Sequence, residues 1–228
     1  SLDADGRPAG ACAHSAAATF SFHPVKTIAA GEGGCVTTND PDLAERMMRL
    51  RSHGIERDPV RFRRREGAHE PWWHEMQALG WNHRMPDVLA ALARSQLGKL
   101  PRFAGRRRAL AALYDAALAD LAPIGRPPAG RAGTDPCRHL YNARVDFASA
   151  GADRARVMAR LREAGIGTQV HYIPVHRQPW HAAQGDHPDL PGAEAYYART
   201  LSLPLFPAMT DDDPARVALE LARALEIA

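Results

Sequence analysis

The sequence predicts an α/β fold in which helices pack on strands in each of two successive parts of the chain. Short β-prone runs alternate with apolar stripes at helical spacing, and this alternation is typical of layered α/β folds. A stretch rich in proline and glycine, from Ala122 to Cys137, separates the two parts as a linker or exposed loop. The 228 residues, 45% hydrophobic and 24% charged, have the composition of a globular protein and exclude a disordered or collagen-like chain.

The first part contains one predicted strand followed by three predicted helices. A β-prone run from Cys35 to Thr38 precedes Asp40, which can cap a helix, and Pro41, which fits its first turn. The helix that follows is expected to stop at Gly54, and its apolar face is Leu43, Met47 and Leu50. We expect a second helix to open at Pro86. A long third helix after Pro101 has an apolar stripe made of Leu110, Leu113, Tyr114, Ala117, Leu118 and Leu121.

The second part begins with a predicted strand from Tyr141 to Phe147. Asp153 then caps a helix that ends at Gly165, with an apolar face of Val157, Met158 and Leu161. Another extended run is expected from Gln169 to Ile173. Thr210 and Asp213 have the spacing of a capping box, which predicts the start of a last helix bearing Val217, Leu221 and Leu225.

The charge pattern does not indicate a nucleic-acid partner. The 29 basic residues include only two lysines, Lys26 and Lys99, and a chain rich in arginine and alanine but poor in lysine is most simply explained by coding bias. The basic clusters at 61–65 and 106–108 lack the interleaved aromatic residues of a single-strand binding surface. We therefore expect both clusters to be solvated surface.

The sequence also predicts no membrane partner. No stretch approaches the roughly 18 apolar residues that a membrane span requires, and no charged and then apolar leader opens the chain. We expect the protein to be cytoplasmic.

Neither disulfides nor a metal site are expected. Cys12, Cys35 and Cys137 are far apart and form no CxxC pair. A zinc site would have to recruit histidines, yet the series His171, His176 and His181 is broken by prolines and fits neither a helix face nor the usual zinc spacing.

The segment whose residues most strongly indicate a catalytic or binding site lies near the start of the chain. It reads Ser21-Phe22-His23-Pro24-Val25-Lys26 and is followed by Gly31-Glu32-Gly33-Gly34. Pro24 forbids a regular helix around Lys26, so the lysine is expected on an irregular, fixed turn of the kind that presents a side chain into a site. The glycines allow a close approach or a positive φ. From these residues alone, an ordinary surface lysine is the more common explanation of Lys26, and a catalytic role is the alternative.

Several segments together resemble the motifs of one enzyme family. They are FSFHPVK followed by GEGG, then TTND, RSHGI, LGWNHRMPD, GIGTQVHYIPVH and LSLPLFP. The chain resembles the DegT-type sugar aminotransferases, which use pyridoxal 5′-phosphate to aminate nucleotide-linked keto sugars, and the resemblance covers essentially its whole length. The segment GIGTQVHYIPVH is most similar to the branch named for UDP-4-amino-4,6-dideoxy-N-acetyl-β-L-altrosamine, which aminates a UDP-linked 4-keto-6-deoxy-N-acetyl sugar on the way to pseudaminic acid.

The resemblance implies fold type I of the pyridoxal phosphate transferases. Residues 1–121 would then be the C-terminal portion of the large mixed-sheet domain with its connecting helix, and residues 122–228 the small C-terminal α/β domain. It also implies that glutamate donates the amino group and a nucleotide sugar receives it.

The resemblance assigns cofactor-binding roles to three residues. Lys26 stands where the family attaches pyridoxal phosphate, and because family members that became dehydrases have histidine there, the lysine favours transamination. Ser21 matches the hydroxyl that binds the cofactor phosphate, the alternative being a turn serine that bonds its own backbone. Asn82 matches the asparagine that reaches the partner's phosphate in a homodimer with composite sites; otherwise it is a loop or cap residue.

Three further residues are candidates for substrate contact. Arg84 could clamp a carboxylate or a diphosphate. His171 and Tyr172 lie in the VHY segment, and His171 could equally be a hydrogen-bonded structural residue. His53 and Glu32 are interpreted as structural, with Glu32 bonding loop amides.

The resemblance further indicates that the family's cofactor domain begins upstream of Ser1. The helix end that grips the phosphate, the aromatic ring that stacks on the cofactor and the aspartate beside the pyridine nitrogen would all precede this chain, and Asp3 and Asp5 lie too late in the pattern to replace that aspartate. We therefore expect a C-terminal portion of a longer enzyme. The alternative is a short, catalytically inactive paralogue that acts as a binding or regulatory subunit.

Overall fold

The computed structural model describes residues 1–3, 5–64, 66–128, 134, 136–185 and 188–227. The chain forms two compact units. The first comprises Ser1–Leu100, to which Thr134 and Pro136 also belong, and the second comprises the other described residues from Pro101 onward. Both units mix helices with strands, as the sequence predicts. Within the described residues, no helix is both long and apolar enough to cross a bilayer.

The first unit is built from two small antiparallel ribbons and two helices. Strand β1 (Ala18–Ser21) pairs with β2 (Gly34–Thr37), and β3 (Ile55–Glu56) pairs with β4 (Glu75–Met76). Helix α1 (Pro41–Arg51) follows β2, a 3-10 turn (Pro59–Arg61) follows β3, and α2 (Asp87–Leu97) follows β4.

The capping signal of α1 is confirmed. The Asp40 carboxylate accepts the backbone N–H groups of Asp42 at 2.9 Å and Leu43 at 3.0 Å, and Pro41 occupies the first turn. The helix ends at Arg51, before the predicted stop at Gly54. Its apolar face is only half-buried, since none of its residues is fully buried in the described part of the chain.

The second unit is a three-stranded antiparallel sheet covered by helices. Strand β6 (Tyr141–Val145) lies in the middle, between β5 (Ile124–Gly125) and β7 (Thr200–Leu203). The helices are α3 (Leu100–Ala117), α4 (Arg154–Glu163), α5 (Pro179–Ala182), α6 (Pro191–Arg199) and α7 (Asp213–Leu225), and a 3-10 turn spans Val175–Arg177.

The hydrophobic core of this unit follows from the periods of its elements. Every second residue of β6 is buried, as period-2 alternation requires. Helices α4 and α7 pack on each other, and α7 buries Val217, Leu221 and Leu225 as the sequence predicts. Two stacked rings lie in this core, with 4.6 Å between the ring centroids of Tyr114 and Tyr141.

The boundary between the units lies after Leu100, whereas the sequence places it after Leu121. The reason is that Leu110, Ala111 and Tyr114 of α3 are buried in the core of the second unit, so the helix belongs there. Ile124, inside the expected linker, is also buried and forms β5. Gly130 and Gly133 of that linker lie outside the described residues.

Other differences concern single elements. Leu113, expected on the apolar stripe of α3, is 36% exposed, because it lies off the face that carries Leu110 and Tyr114. Of the extended run Gln169 to Ile173, only Gln169 pairs, through a bridge to Ser202. The Asp213 carboxylate accepts the Thr210 N–H at 2.7 Å, as in a capping box, but α7 begins at Asp213 itself.

A pair of leucines on α7 tests this core. Leu221 is fully buried and Leu219 is 47% exposed. Leu221→Ala removes buried methylene groups and leaves a cavity, so we expect it to lower the free energy of unfolding by about 2–5 kcal/mol. Leu219→Ala, the matched control on the same helix, should change it by less than about 0.5 kcal/mol. Urea denaturation measures both, and equal effects would contradict this assignment of the core.

Candidate active site

Lys26 lies on a turn between β1 and β2, held by backbone hydrogen bonds. The Lys26 N–H donates to the His23 carbonyl at 2.9 Å, and the Ala30 N–H donates to the Phe22 carbonyl at 2.9 Å. The Phe22 N–H donates to the Gly33 carbonyl, also at 2.9 Å, and so closes the segment. The lysine therefore sits on the fixed, non-helical backbone that Pro24 predicts.

The Lys26 side chain is half-buried. Among the described residues, nothing forms a hydrogen bond or ion pair with its amine; only its backbone N–H is bonded. Lys99, the other lysine, is also half-buried and follows α2. The two lysines therefore differ in backbone setting rather than in exposure.

Glycine is required at the end of the Lys26 segment. A Cβ on Gly34 would lie 2.4 Å from the Phe20 carbonyl oxygen of the paired strand, which no side chain tolerates. Gly33 has a φ of +144°, a conformation that favours glycine. Together they let the chain return to β2 directly beside β1.

Ser21 ends β1 and is exposed, five residues before Lys26. Its Oγ accepts the His23 N–H at 3.4 Å, which is a long contact. This is the turn interaction that the sequence leaves open as the alternative role. Because the contact is long and the hydroxyl is exposed, Ser21 keeps capacity to bind a further group.

Glu32 does not bond loop amides as expected. Its carboxylate is 82% exposed and lies 3.8 Å from His23 Nε2, and no loop N–H donates to it in the described part of the chain. Solvation of the carboxylate explains the difference, since an exposed charge gains little from a backbone amide.

Asn82 and Arg84 lie where two of the family-like segments meet. The segment RSHGI (51–55) runs beside LGWNHRMPD (79–87), with Ser52 and Asn82 opposite each other in an antiparallel bridge. The Trp81 N–H donates to the Leu50 carbonyl at 2.8 Å, and the His53 N–H donates to the Trp81 carbonyl at 2.8 Å. His53, at a φ of +63°, is thus part of this backbone framework, which agrees with a structural role.

The two segments approach each other through glycines. A Cβ on Gly80 would lie 2.2 Å from the Gly54 nitrogen, and a Cβ on Gly54 would lie 1.8 Å from the Ala78 carbonyl oxygen. This close backbone contact leaves the Asn82 and Arg84 side chains exposed. Arg84 lines a cleft that also contains Arg49, Arg57, Arg61 and Glu45. Arg49 and Arg61 are both ion-paired to Glu45, so in the described part of the chain Arg57 and Arg84 are the cleft arginines without an acidic partner, and these two favour an anion.

Glu56 keeps that cleft from being wholly basic. Its carboxylate accepts the backbone N–H groups of Arg57 and Asp58, and Arg49 lies 3.2 Å away. The Asp58 N–H contributes most to lowering the pKa of the Glu56 carboxyl, burial opposes it, and the Arg57 N–H and the Arg49 charge add to the lowering. Glu56 is therefore ionised and holds Arg49 in place.

His171 and Tyr172 lie in the second unit, after the bridge at Gln169. His171 is half-buried, and its Nδ1 lies 2.7 Å from Ser202 Oγ. The Tyr172 ring is 68% exposed and meets the His171 ring edge-on, with 4.5 Å between the centroids. The side chains of these two candidate residues are therefore in contact with each other.

The end of the same segment is tied to α6. His176 Nε2 lies 2.7 Å from Glu194 Oε1, and the Arg177 Nε–H donates to the same oxygen at 2.9 Å. Burial raises the pKa of the Glu194 carboxyl, but the hydrogen bonds from His176 and Arg177 outweigh burial, and the net pKa is lowered. An ionised Glu194 therefore anchors the loop that carries His171.

One group of potential metal ligands occurs in the described residues, formed by Asp3, Asp5 and His14. The Asp3 carboxylate already accepts the N–H groups of Asp5 at 2.9 Å and Arg7 at 2.8 Å. These bonds stabilise the turn that follows Asp3. The group contains none of the candidate site residues.

Sequence reasoning missed three residues that contact His171 directly or through one another. Ser202, Asn142 and Tyr196 form a hydrogen-bonded series that ends at His171 Nδ1. Ser202 lies in the family-like segment LSLPLFP, but Asn142 lies 60 positions earlier on another strand, so no local pattern connects the two residues. Only the register of β6 and β7 brings them together.

The chain resembles known proteins over nearly its full length. It is 38% identical over 200 residues to the spore coat polysaccharide biosynthesis protein SpsC of Bacillus subtilis, an alignment that covers 86% of this chain and 50% of SpsC. The chain therefore spans about half the length of this relative.

Two solved structures share the fold. The structure of DesI in the presence of its TDP-sugar product matches 100% of this chain and 53% of DesI, with 32% identity and a TM-score of 0.80. Helicobacter pylori PseC, an aminotransferase involved in the biosynthesis of pseudaminic acid, matches 93% of this chain and 54% of PseC, with 27% identity and a TM-score of 0.82.

The family model agrees with the structural likeness. The model of the DegT/DnrJ/EryC1/StrS aminotransferases matches residues 2–222, a range that includes the Lys26 turn, the glycine-packed segments around Asn82 and the loop of His171. The chain belongs to the DegT/DnrJ/EryC1/StrS aminotransferase family.

Proposed function

We propose that the protein is a pyridoxal phosphate-dependent aminotransferase that moves an amino group from glutamate to a nucleotide-linked 4-keto-6-deoxy sugar. The setting of Lys26 is the observation that carries the proposal. Its amine is half-buried and has no partner in the described residues, and backbone hydrogen bonds fix the turn on which it lies. Lys26 also lies inside the range that matches the family model. An amine in this setting is available to react with a carbonyl group.

The residues around Lys26 fit pyridoxal phosphate by their chemistry. Lys26 supplies an amine for the cofactor's aldehyde, and Ser21, on the strand that leads into the same turn, supplies an exposed hydroxyl for its phosphate. Glycines 33 and 34 leave no side chain at the return to β2. We assign Lys26 as the covalent anchor and Ser21 as a phosphate ligand.

The chain's own residues have definable tasks in such a reaction. The bound cofactor supplies an electron sink for the bonds at the reacting carbon. Lys26 Nζ, when neutral, can take a proton from the donor's α-carbon and return it to the next reaction partner. The fixed backbone of the turn restricts where that nitrogen can reach, which favours proton transfer at one position.

We further assign Asn82 to the phosphate bound by a second copy of the chain, which makes the enzyme a homodimer with composite sites. In support of this role, Asn82 is exposed on a segment that is rigidly bonded to its neighbour. In this proposal residues 1–121 are the C-terminal portion of the cofactor-binding domain together with its connecting helix, and residues 122–228 form the small domain. The connecting helix is α3, which packs on the core of the second unit. The enzyme would work in the cytoplasm, where nucleotide sugars are made.

For the sugar, we propose a UDP-linked N-acetylated substrate of the pseudaminic acid type, with Arg84, His171 and Tyr172 as contacts. The likeness to PseC supports this choice. The DesI structure, with its TDP-sugar product, provides the competing substrate class. The basic cleft at Arg84 suits a diphosphate or a carboxylate of either substrate.

The lysine assignment is tested by covalent trapping. The chain is incubated with pyridoxal phosphate and reduced with borohydride, and the adduct is mapped by peptide mass spectrometry. We expect stoichiometric labelling of Lys26, because its turn presents the amine, and no labelling of Lys99, the matched control with similar burial. Lys26→Ala should abolish the label. Equal labelling of both lysines would contradict a specific site.

The composite site is tested by mixing two inactive variants. Lys26→Ala and Asn82→Ala chains, refolded together in equal amounts, should recover about a quarter of the wild-type rate, because half of the dimers are hybrids and each hybrid has one intact site. Each variant alone should be nearly inactive. Failure of the mixture to gain activity, with dimers present by sedimentation, would place Asn82 and Lys26 in the same subunit's site.

The sugar is identified by a glutamate-coupled assay. We expect kcat/KM for the UDP-linked 4-keto-6-deoxy-N-acetyl sugar to exceed that for the TDP-linked 4-keto sugar by at least about tenfold, the value of one well-placed hydrogen bond. 2-Oxoglutarate release in both reactions reports the rate. Preference for the TDP-linked sugar would overturn the UDP assignment and leave the aminotransferase proposal intact.

A further inference from the structure

Helix α6 holds the loop 171–178 through the carboxylate of Glu194. The Arg177 Nε–H donates to Glu194 Oε1 at 2.9 Å, and Arg177 Nη2 donates to Glu194 Oε2, so the arginine binds both carboxylate oxygens. His176 Nε2 lies 2.7 Å from Glu194 Oε1. A two-point arginine–carboxylate pair with a further donor fixes the geometry better than a single exposed ion pair does.

These three bonds depend on the negative charge of Glu194. An ionised carboxylate only accepts hydrogen bonds, so His176 Nε2–H must donate to it, as the arginine does. The Glu194 side chain is 31% exposed and that of His176 is 20% exposed, so water has limited access to their contact. Removal of the charge would therefore loosen both loop residues together.

The ring of Tyr197 limits the movement of Arg177. The guanidinium carbon of Arg177 lies 5.4 Å from the Tyr197 ring centroid, and that of Arg154 lies 4.8 Å from the same centroid. Both cations are attracted by the ring electrons. Arg154, at the start of α4, also donates to the Tyr197 carbonyl oxygen. The arginine that binds Glu194 is thus held by the same helix at a second point.

Helix α6 is itself fixed on the sheet of the second unit. Asn142 Nδ2, on β6, lies 2.9 Å from the Tyr196 hydroxyl. Arg199 Nη2 lies 3.1 Å from Asp146 Oδ2, just after β6. The helix also runs directly into β7. Its bonds to the loop therefore tie the loop to the most rigid part of the unit.

The loop has a second anchor at its other end. The Gln169 N–H donates to the Ser202 carbonyl at 3.2 Å, and the Ser202 N–H donates to the Gln169 carbonyl at 2.8 Å. Between the anchors, the Tyr172 ring is 68% exposed. A loop that is held at both ends restricts the positions of a side chain between them. Such restriction lowers the entropy cost when a ligand binds that side chain.

We infer that Glu194 is a positioning residue that acts through Arg177 and the loop to hold Tyr172 in place for the nucleotide sugar. The contact between Tyr172 and the sugar rests on the function proposed above. The anchoring of the loop rests only on contacts within the second unit. The two parts can therefore be tested separately.

Limited proteolysis tests the anchoring without cofactor or activity. Arg177 is the one trypsin site between Arg162 and Arg199, so cleavage after it reports on this loop. Glu194→Gln removes the charge and places an amide nitrogen against an arginine nitrogen. We expect it to speed cleavage after Arg177 on the order of tenfold, because hydrogen bonds to a charged group are lost. Mass spectrometry of the fragments measures the rate, and an unchanged rate would overturn the anchoring.

A second glutamate provides the matched control. Glu220 pairs with Arg223 within α7, and its side chain is 25% exposed, close to the value for Glu194. Glu220→Gln should leave cleavage after Arg177 at the wild-type rate. Cleavage after Arg162, in the last turn of α4, should be the same in every variant. An equal rise at both sites in Glu194→Gln would mean general destabilisation and would overturn a local role.

Kinetics test the effect on the sugar. When an amino group is exchanged in two half-reactions, kcat/KM for each substrate reports its own half. Glu194→Gln should lower kcat/KM for the keto sugar on the order of tenfold and leave kcat/KM for glutamate unchanged, because Tyr172 is assigned to the sugar alone. Arg177→Lys keeps a charge but loses the two-point geometry, so its value should lie between those of the wild type and Arg177→Ala. An equal fall for both substrates would overturn the positioning role.

A double variant tests whether Glu194 acts through Tyr172. If it does, Tyr172→Ala combined with Glu194→Gln should have the same kcat/KM for the keto sugar as Tyr172→Ala alone. A further fall in the double variant would show that Glu194 acts elsewhere and would overturn the inference. If trypsin cleavage responds as expected but the wild type aminates no keto sugar, the anchoring stands and the proposed function fails.

Discussion

The antiparallel register of β6 and β7 is the constraint on which the second unit depends. It aligns Tyr141 with Leu203 and Ala143 with Leu201, so that apolar side chains of both strands enter one core. The same register aligns Asn142 with Ser202 between these apolar pairs. Side chains alternate between the two faces of a strand with a period of two. A slip of one residue would therefore move the apolar side chains out of the core and separate Asn142 from Ser202, which would disrupt both the core and the hydrogen-bond series.

The first unit depends on backbone contacts instead of a large core. Its functional candidates lie on segments joined by main-chain hydrogen bonds and packed through glycines, such as Gly34 against Phe20 and Gly80 against Gly54. Few of its apolar residues are fully buried in the described part of the chain, whereas the second unit has a continuous cluster of them. The geometry around Lys26 is therefore set by local chain stiffness rather than by burial.

This difference explains how much of the molecule could be predicted from its sequence. Helices α1 and α4 are predicted because their caps, Asp40 and Asp153, lie within three residues of the N–H groups that they bind. Strands β1 and β7 are missed because neither contains consecutive β-branched residues like those that predict β2, and because pairing with a neighbouring strand decides their conformation. The division of the compact units after Leu100 has a similar origin. It follows from the burial of α3 against distant strands, whereas the proline and glycine signal that predicts a domain boundary after Leu121 is local.

The residues of the candidate site can also be divided into those that the sequence predicts and those that it does not. Lys26 and Ser21 are found from sequence because the residues that shape their turn, Pro24 and the glycines, are neighbours in the chain. The contact between Ser202, Asn142 and His171 is not found. Ser202 lies in the family-like segment LSLPLFP, but nothing in the sequence connects it with Asn142 or His171 until the fold places them together.

A reactive residue on a tight turn depends on its neighbours in the chain, such as proline and glycine, to fix the conformation of that turn. The sequence shows these neighbours directly. A residue that acts through another side chain needs only the correct register, and many sequences satisfy that requirement. The contacts of such residues are therefore identified from burial, donor and acceptor identity and bond length rather than from their neighbours in the chain. In this protein those criteria converge on the ring of His171.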